Sequence, residues 1–255
     1  MELSKTVQPV TTAAHGSEMN GLLASLPPDE LERVSSELTW RPLKVRQVLH
    51  KRGQPISEVY FPGRGVCTVT GVMEDGGVIE VASIGREGLV GMAAVLGAPV
   101  PTTETFVQMA AEPAAVMSVE AFGREMDRRG ALHDRVTQYS QAFLGMLMQS
   151  VACNGLHSAE QRCCRWLLTT QDRIGQAEFA LTHEFLASML GVRRPTVTLV
   201  MADLARTGIV SHVRGHVRIV DRGALEATAC ECHRTVRAMF ERLPPASNHV
   251  TAVGE

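Results

Sequence analysis

The apolar positions fall into successive textures along the chain. From 28 to 39, Leu31, Val34 and Leu38 recur at i, i+3 and i+7, which predicts a short helix with Pro28 in its first turn. Between about 43 and 119 the pattern breaks into short apolar, β-branched runs punctuated by glycine, at 58–61, 66–73, 78–84, 106–111 and 114–119. Such spacing predicts a small β-barrel or roll. Asp75-Gly76-Gly77 predicts a hairpin turn between two of these strands.

From about 131 the period lengthens. Leu132, Val136, Tyr139, Phe143, Met146 and Ser150 step alternately by four and three, an a/d stripe of nearly three heptads. The same stripe would also suit a helix packed on its own domain. The expected reading is a dimer seam formed by Leu132, Val136, Tyr139, Phe143 and Met146. Residues 159–171 predict another helix, with Cys163, Trp166, Leu167 and Thr170 on one face and Gly175 at its end.

Residues 181–204 are the most specific segment. Thr182 is a candidate N-cap. Phe185, Leu186, Met189 and Leu190 supply an apolar face, and Ala187 is small where a second helix would cross. Gly191 marks a sharp turn that needs positive φ. The next helix turns Val197, Val200, Met201 and Leu204 inward and leaves Arg193, Arg194, Pro195, Thr196, Thr198 and Leu199 outside. This is a helix-turn-helix whose second helix presents cations and hydroxyls at its N-terminal end, the end that enters a major groove. Residues 209–213 and 216–220 flank Arg214-Gly215 and predict a β-hairpin wing, with His212, Arg214, His216 and Arg218 alternating along it.

The net charge of −2 gives no general affinity for nucleic acid. Between 181 and 222, however, six arginines face three acids, and a local basic patch matters more than the sum. No apolar run is long enough to span a bilayer, and the polar N-terminus is unlike a signal peptide, so a cytoplasmic chain without membrane contact is expected. The six cysteines form no secreted-type framework and are expected as thiols. Cys163-Cys164 reads as inert helix packing. Cys230-Glu231-Cys232-His233 is a compact soft-ligand group, but structural zinc sites show wider pairs and four ligands, so neither metal nor cofactor is expected. No nucleophile elbow, phosphate loop, metalloprotease motif or carboxylate pair is present, so an enzyme is not expected.

With these residues in view, the chain from about 21 to 225 resembles the Crp/Fnr superfamily of bacterial transcription regulators. The likeness is carried by Gly191-Val-Arg-Arg-Pro-Thr-Val, the wing after it, and the β-rich stretch from Val59-Tyr-Phe-Pro to Gly85-Arg-Glu-Gly. The resemblance implies an α+β protein: an N-terminal cyclic-nucleotide-binding-like β-roll (a cupin-like double-stranded β-helix), a long dimerisation helix and a C-terminal winged helix-turn-helix. The expected boundaries are a tail at 1–20, the roll domain at 21–128, the dimerisation helix at 129–155, the DNA-binding domain at 156–225 and an extension at 226–255. It further implies a homodimer on a near-palindromic operator in double-stranded DNA, contact with RNA polymerase, and room for an unknown small-molecule effector. Arg194 looks like the family's guanine-reading arginine, and Thr196 falls on a matching position. Thr182, Arg193, Thr198, Arg214 and Arg218 are the candidate phosphate contacts. Pro195 and Leu199 depart from the cyclic-AMP-responsive members, so a different half-site is expected.

The ligand residues depart further. Glu87 is the candidate ribose-binding carboxylate and Arg86 a candidate anion ligand. Residues 93–105 contain no arginine, whereas cyclic-nucleotide binders of the family carry one for the phosphate, so control by cyclic AMP is not expected. No cysteine precedes Cys67, which excludes the N-terminal iron–sulfur ligation of the family's oxygen sensors.

Overall fold

The computed structural model describes residues 20–97, 100–110 and 112–244, so most of the tail expected at 1–20 lies outside the described residues. Two short helices open the described chain, α1 (Gly21–Ala24) and α2 (Pro28–Ser35). Seven strands follow: β1 (Thr39–Arg41), β2 (Val48–His50), β3 (Glu58–Pro62), β4 (Gly65–Val72), β5 (Val78–Ile84), β6 (Glu104–Ala110) and β7 (Ala114–Ser118), with α3 (Met92–Val95) between β5 and β6. They make two antiparallel sheets, ordered β1-β7-β3 and β2-β6-β4-β5. The glycine-punctuated runs become β3 to β7, and Asp75-Gly76-Gly77 joins β4 to β5. The three-residue strands β1 and β2 are too short to show an alternation and were not foreseen.

The roll closes around Val59, Phe61, Cys67, Val69, Ala82, Ile84 and Val107, all buried. Strand β4 is buried at six consecutive positions instead of every second one. Cys67 and Val69 face the roll interior, while Val66 packs into the core of the C-terminal domain. A strand covered on both faces loses the alternation that an exposed sheet keeps.

Helices α4 (Val119–Asp127) and α5 (Ala131–Leu156) lead out of the roll. The long helix forms where its period predicts, but the stripe has another use. Leu132, Val136, Tyr139, Phe143 and Met146 are 0%, 0%, 1%, 7% and 4% exposed within the single chain, packed in the roll's own core. Within the single chain these five side chains thus take the other use such a stripe allows, packing against their own domain. The exposed apolar positions of α5 are Leu144, Met148, Val151 and Leu156, at 52%, 64%, 74% and 82%.

The C-terminal region continues with α6 (Ala159–Ile174), β8 (Glu178–Ala180), α7 (His183–Leu190), α8 (Arg194–Arg206), β9 (Val210–Val213), β10 (His216–Ile219), α9 (Arg222–Thr228) and α10 (Cys232–Glu241). Helix α6 starts with a capping box of Ser158 and Gln161 and ends on Gly175 at φ 69. Its foreseen face is buried, and Cys164 is buried as well. Strand β8 adds to the wing in the order β8-β10-β9. Part of the expected extension is α10, which returns along α5: Val236 and Phe240 pack on the roll core, and the Phe240 and Tyr139 rings lie 6.1 Å apart.

Candidate nucleic-acid interface

The helix-turn-helix is built from local signals that agree with one another. The Thr182 hydroxyl accepts the Phe185 amide at 3.1 Å and caps α7. Leu186, Ala187, Met189 and Leu190 are buried, and Val197, Met201 and Leu204 from α8 meet them at 1% exposure each. Removing either Met201 or Leu204 to alanine would cost about 2–5 kcal/mol, as for any filled core site. Gly191 closes α7 in the left-handed conformation at φ 63. A Cβ there would stand 2.6 Å from Ile79 Cδ1, so the turn requires glycine both for its backbone and for its approach to β5.

The outward end of α8 carries the candidate base contacts. Arg193 is its N-cap residue and Pro195 occupies its first turn, where proline needs no amide partner. Arg194 is 68% exposed and reaches Glu184 at 3.8 Å, an exposed pair worth only about 0–1 kcal/mol. Its guanidinium can therefore leave for a stronger partner. Thr196 is half-buried, while the exposed Thr198 donates to the Arg194 carbonyl at 3.1 Å and lies 3.1 Å from His183 Nδ1. The His183 and His212 rings stack at 4.6 Å. Burial, then the neighbouring His212 and Arg194 charges, lower the His183 pKa, so this part of the surface resists gaining a proton. Leu199 is 69% exposed on the same face, an apolar group positioned to suit a thymine methyl.

The wing turns on Arg214 and Gly215, at φ 49 and 79, the left-handed pair that a two-residue hairpin requires. The turn sets Arg214 at the tip. Arg218 stands on β10 and pairs with Glu178 of β8 at 3.2 Å, again in solvent. Thr182, Arg193, Arg194, Thr198, Arg214 and Arg218 are thus exposed on the helix-turn-helix and its wing, and the Thr182 hydroxyl also caps α7.

Residues 161–228 match the family described as the Crp-like helix-turn-helix domain. Solved structures match most of the chain. A Crp/Fnr-family transcriptional regulator from Eubacterium rectale is 16% identical over 82% of this chain and 95% of its own, with a TM-score of 0.64. A CRP-family transcriptional regulator from Thermus thermophilus is 23% identical over 74% and 96%, with a TM-score of 0.63. The c-di-GMP-responsive global regulator CLP of Xanthomonas campestris is 13% identical over 76% and 100%, with a TM-score of 0.61. No curated protein matches in sequence. The chain has the Crp/Fnr fold.

Within that fold the candidate ligand residues and the roll's apolar cavity lie apart. The roll and α5 flank an open cavity of about 620 Å³, lined largely by apolar side chains with His50, Thr102, Thr103, Thr105, Ser140 and Gln141 as its polar groups. Neither Arg86 nor Glu87 lines it. Glu87 instead accepts from Arg173 of α6 at 2.7 and 2.9 Å and from the Gly85 amide at 3.0 Å. Arg173, 8% exposed, also donates to Ser83. A Cβ on Gly85 would come within 2.8 Å of the Arg173 side chain, so this glycine admits the arginine. Arg86 is exposed beside this pair. The carboxylate expected for a ligand therefore bolts the roll to the Crp-like domain. A second tie lies nearby: Glu80 of β5 accepts from Trp166 Nε1 at 3.4 Å, and burial raises its pKa to about 7.

The Cys230-Glu231-Cys232-His233 group also divides. His233 leaves it for Asp172, at 2.8 Å. Cys153 and His157, at the end of α5, take its place beside Cys230 and Cys232. Sequence reasoning missed both because they lie far along the chain. The signal that could have drawn attention to them is the i, i+4 spacing of Cys153 and His157, which sets both on one side of a helix end.

No helix among the described residues is long and apolar enough to cross a membrane.

Proposed function

We propose that the chain is a sequence-specific DNA-binding transcription regulator that acts as a homodimer on a near-palindromic operator. The carrying observation is the solvent-facing N-terminal end of α8, where Arg194 is held only by a weak exposed pair with Glu184. Arg194 reads guanine through a bidentate pair, and Thr196 and Leu199 read the neighbouring bases. Arg193, Thr198, Arg214 and Arg218 hold phosphates, and Thr182 fixes the helix that crosses the backbone. Leu144, Met148 and Val151 form the dimer contact, because they are the exposed apolar side chains on one side of α5. The two recognition helices then address half-sites about 34 Å apart.

The test is selection of a random duplex library by the purified chain at physiological salt, without nucleotide and again with cell extract. Recovery of a near-palindrome in either arm supports the reading. Absence of any enriched sequence in both arms overturns it.

A second reading is supported by the roll cavity: DNA binding gated by a small ligand. A cavity of about 620 Å³ with no arginine or lysine in its lining suits an uncharged, largely apolar molecule better than a cyclic phosphate. Calorimetric titration with cyclic mononucleotides and cyclic dinucleotides tests whether the gating ligand is a nucleotide after all. No heat is expected from any of them; saturable heat from one would make that nucleotide the effector.

A further inference from the structure

Helix α5 carries Cys153 on its last turn, and His157 follows as its C-cap residue. Cys230 and Cys232 flank Glu231 at the junction of α9 and α10. The three sulfurs and a ring nitrogen of His157 all lie within 4.8 Å of one another. Cys153 Sγ is 3.6 Å from Cys230 Sγ, and Cys232 Sγ is 3.5 Å from His157 Nδ1. A tetrahedral zinc ion with bonds of about 2.3 Å to sulfur and 2.0 Å to nitrogen sets its ligand atoms roughly 3.8 Å (sulfur to sulfur) and 3.5 Å (sulfur to nitrogen) apart. The four groups thus stand close to ligand separation around one small ion.

The surroundings support the same occupant. The three cysteines are 0%, 3% and 0% exposed and form a small cluster of their own. Ordinary core packing would not turn an imidazole nitrogen towards them. His157 Nε2 lies 3.2 Å from a Glu231 carboxylate oxygen. That contact fixes the ring with Nδ1 towards the sulfurs, the carboxylate–histidine arrangement that supports metal ligands. Gln149 donates to Cys232 Sγ at 3.1 Å, a second hydrogen bond suited to a thiolate. An iron–sulfur cluster divides its four ligands among two or more irons, whereas all four groups here converge on one point.

We propose that Cys153, His157, Cys230 and Cys232 form a closed four-ligand site for one zinc-class divalent ion. Four protein ligands leave no open position, so the site is structural. Its placement gives it a purpose. The chain leaves α5 at the site, forms the whole winged helix-turn-helix, and returns to the same point before α10. The ion staples the two ends of the Crp-like domain together where it joins α5.

The test uses the full chain, purified under reducing conditions without added metal. Elemental analysis is expected to give one zinc per chain. After chelation, cobalt(II) is expected to bind in the same ratio, with the visible bands of a tetrahedral thiolate site. Re-adding zinc to the stripped chain should raise its Tm. Cys232→Ser and His157→Gln should drop the metal content towards zero, while Cys163→Ser, a buried thiol outside the group, keeps it. The wild-type cobalt titration needs no ligand variant to fold and stands by itself. Reduced wild-type chain with neither zinc nor cobalt uptake overturns the proposal. So does full metal content in both ligand variants.

Discussion

At the roll, Arg64 faces the largely buried Glu112, and the buried Arg173 that enters from α6 faces Glu87. In the winged domain, Arg193 and Arg214 stand in solvent, and Arg194 and Arg218 meet their acids only in exposed, weak pairs. The two regions use the same side chain for opposite ends. A guanidinium with a buried, hydrogen-bonded carboxylate is part of the scaffold, and removing either partner strands the other. A guanidinium in water costs little to redirect and so remains available to phosphate or guanine. This contrast is why Glu87, a ligand candidate by its position in the motif, is here a fastening.

The contrast can be broken most severely in α5. Phe143→Asp puts a carboxylate into the roll core and should cost at least about 4 kcal/mol, so that no cooperative melt remains. Met148→Asp, on the exposed stripe, should leave stability within about 0.5 kcal/mol and give a single chain in sedimentation. A folded, monomeric Phe143→Asp would return the dimer contact to the buried stripe. Next, Glu87→Gln should lower stability by about 3 kcal/mol in denaturant titration, by leaving Arg173 unpaired. An unchanged midpoint would remove the bolt between roll and winged domain.

Glu80 sharpens the same junction through pH. Its pKa is raised to about 7 from 4.5, so the folded chain holds a proton that the unfolded chain releases. The stabilisation is therefore complete below the unfolded value and is lost as pH rises through about 7. Glu80→Gln should stabilise the chain by about 3 kcal/mol at pH ~8 and hardly at all at pH ~4.5. Equal melting differences at both would mean that Glu80 is ionised in the folded chain. The smallest effects belong to the winged domain. Arg194→Ala should cost about 1–3 kcal/mol and relax preference at one base pair, whereas Arg218→Ala should weaken all sequences alike and reduce the salt slope by about 1. Identical behaviour of the two variants in binding assays would erase the distinction between base and phosphate contacts.

The winged helix-turn-helix was legible in the sequence because its determinants are local. The Thr182 cap, the left-handed Gly191, the inward spacing of Val197, Met201 and Leu204, and the Arg214-Gly215 turn each act within a few residues. The strands β3 to β7 were legible for the same reason, since glycine turns bound them. Strands β1 and β2 were not, because three residues cannot express a period.

What the chain alone determined, then, was which segments become helix, strand and turn, and that cations gather at one end of α8. What only the tertiary structure decided was the partner of each face. An a/d stripe records that a helix face must be buried, but not whether a second chain or the roll buries it; here the roll, with α10, covers Leu132, Val136, Tyr139, Phe143 and Met146 and leaves Leu144, Met148 and Val151 outside. The same holds for Glu87 with Arg173 and for Cys153 and His157 with Cys230 and Cys232. Those groups are brought within ångströms by packing across more than seventy residues, a separation that no local pattern encodes.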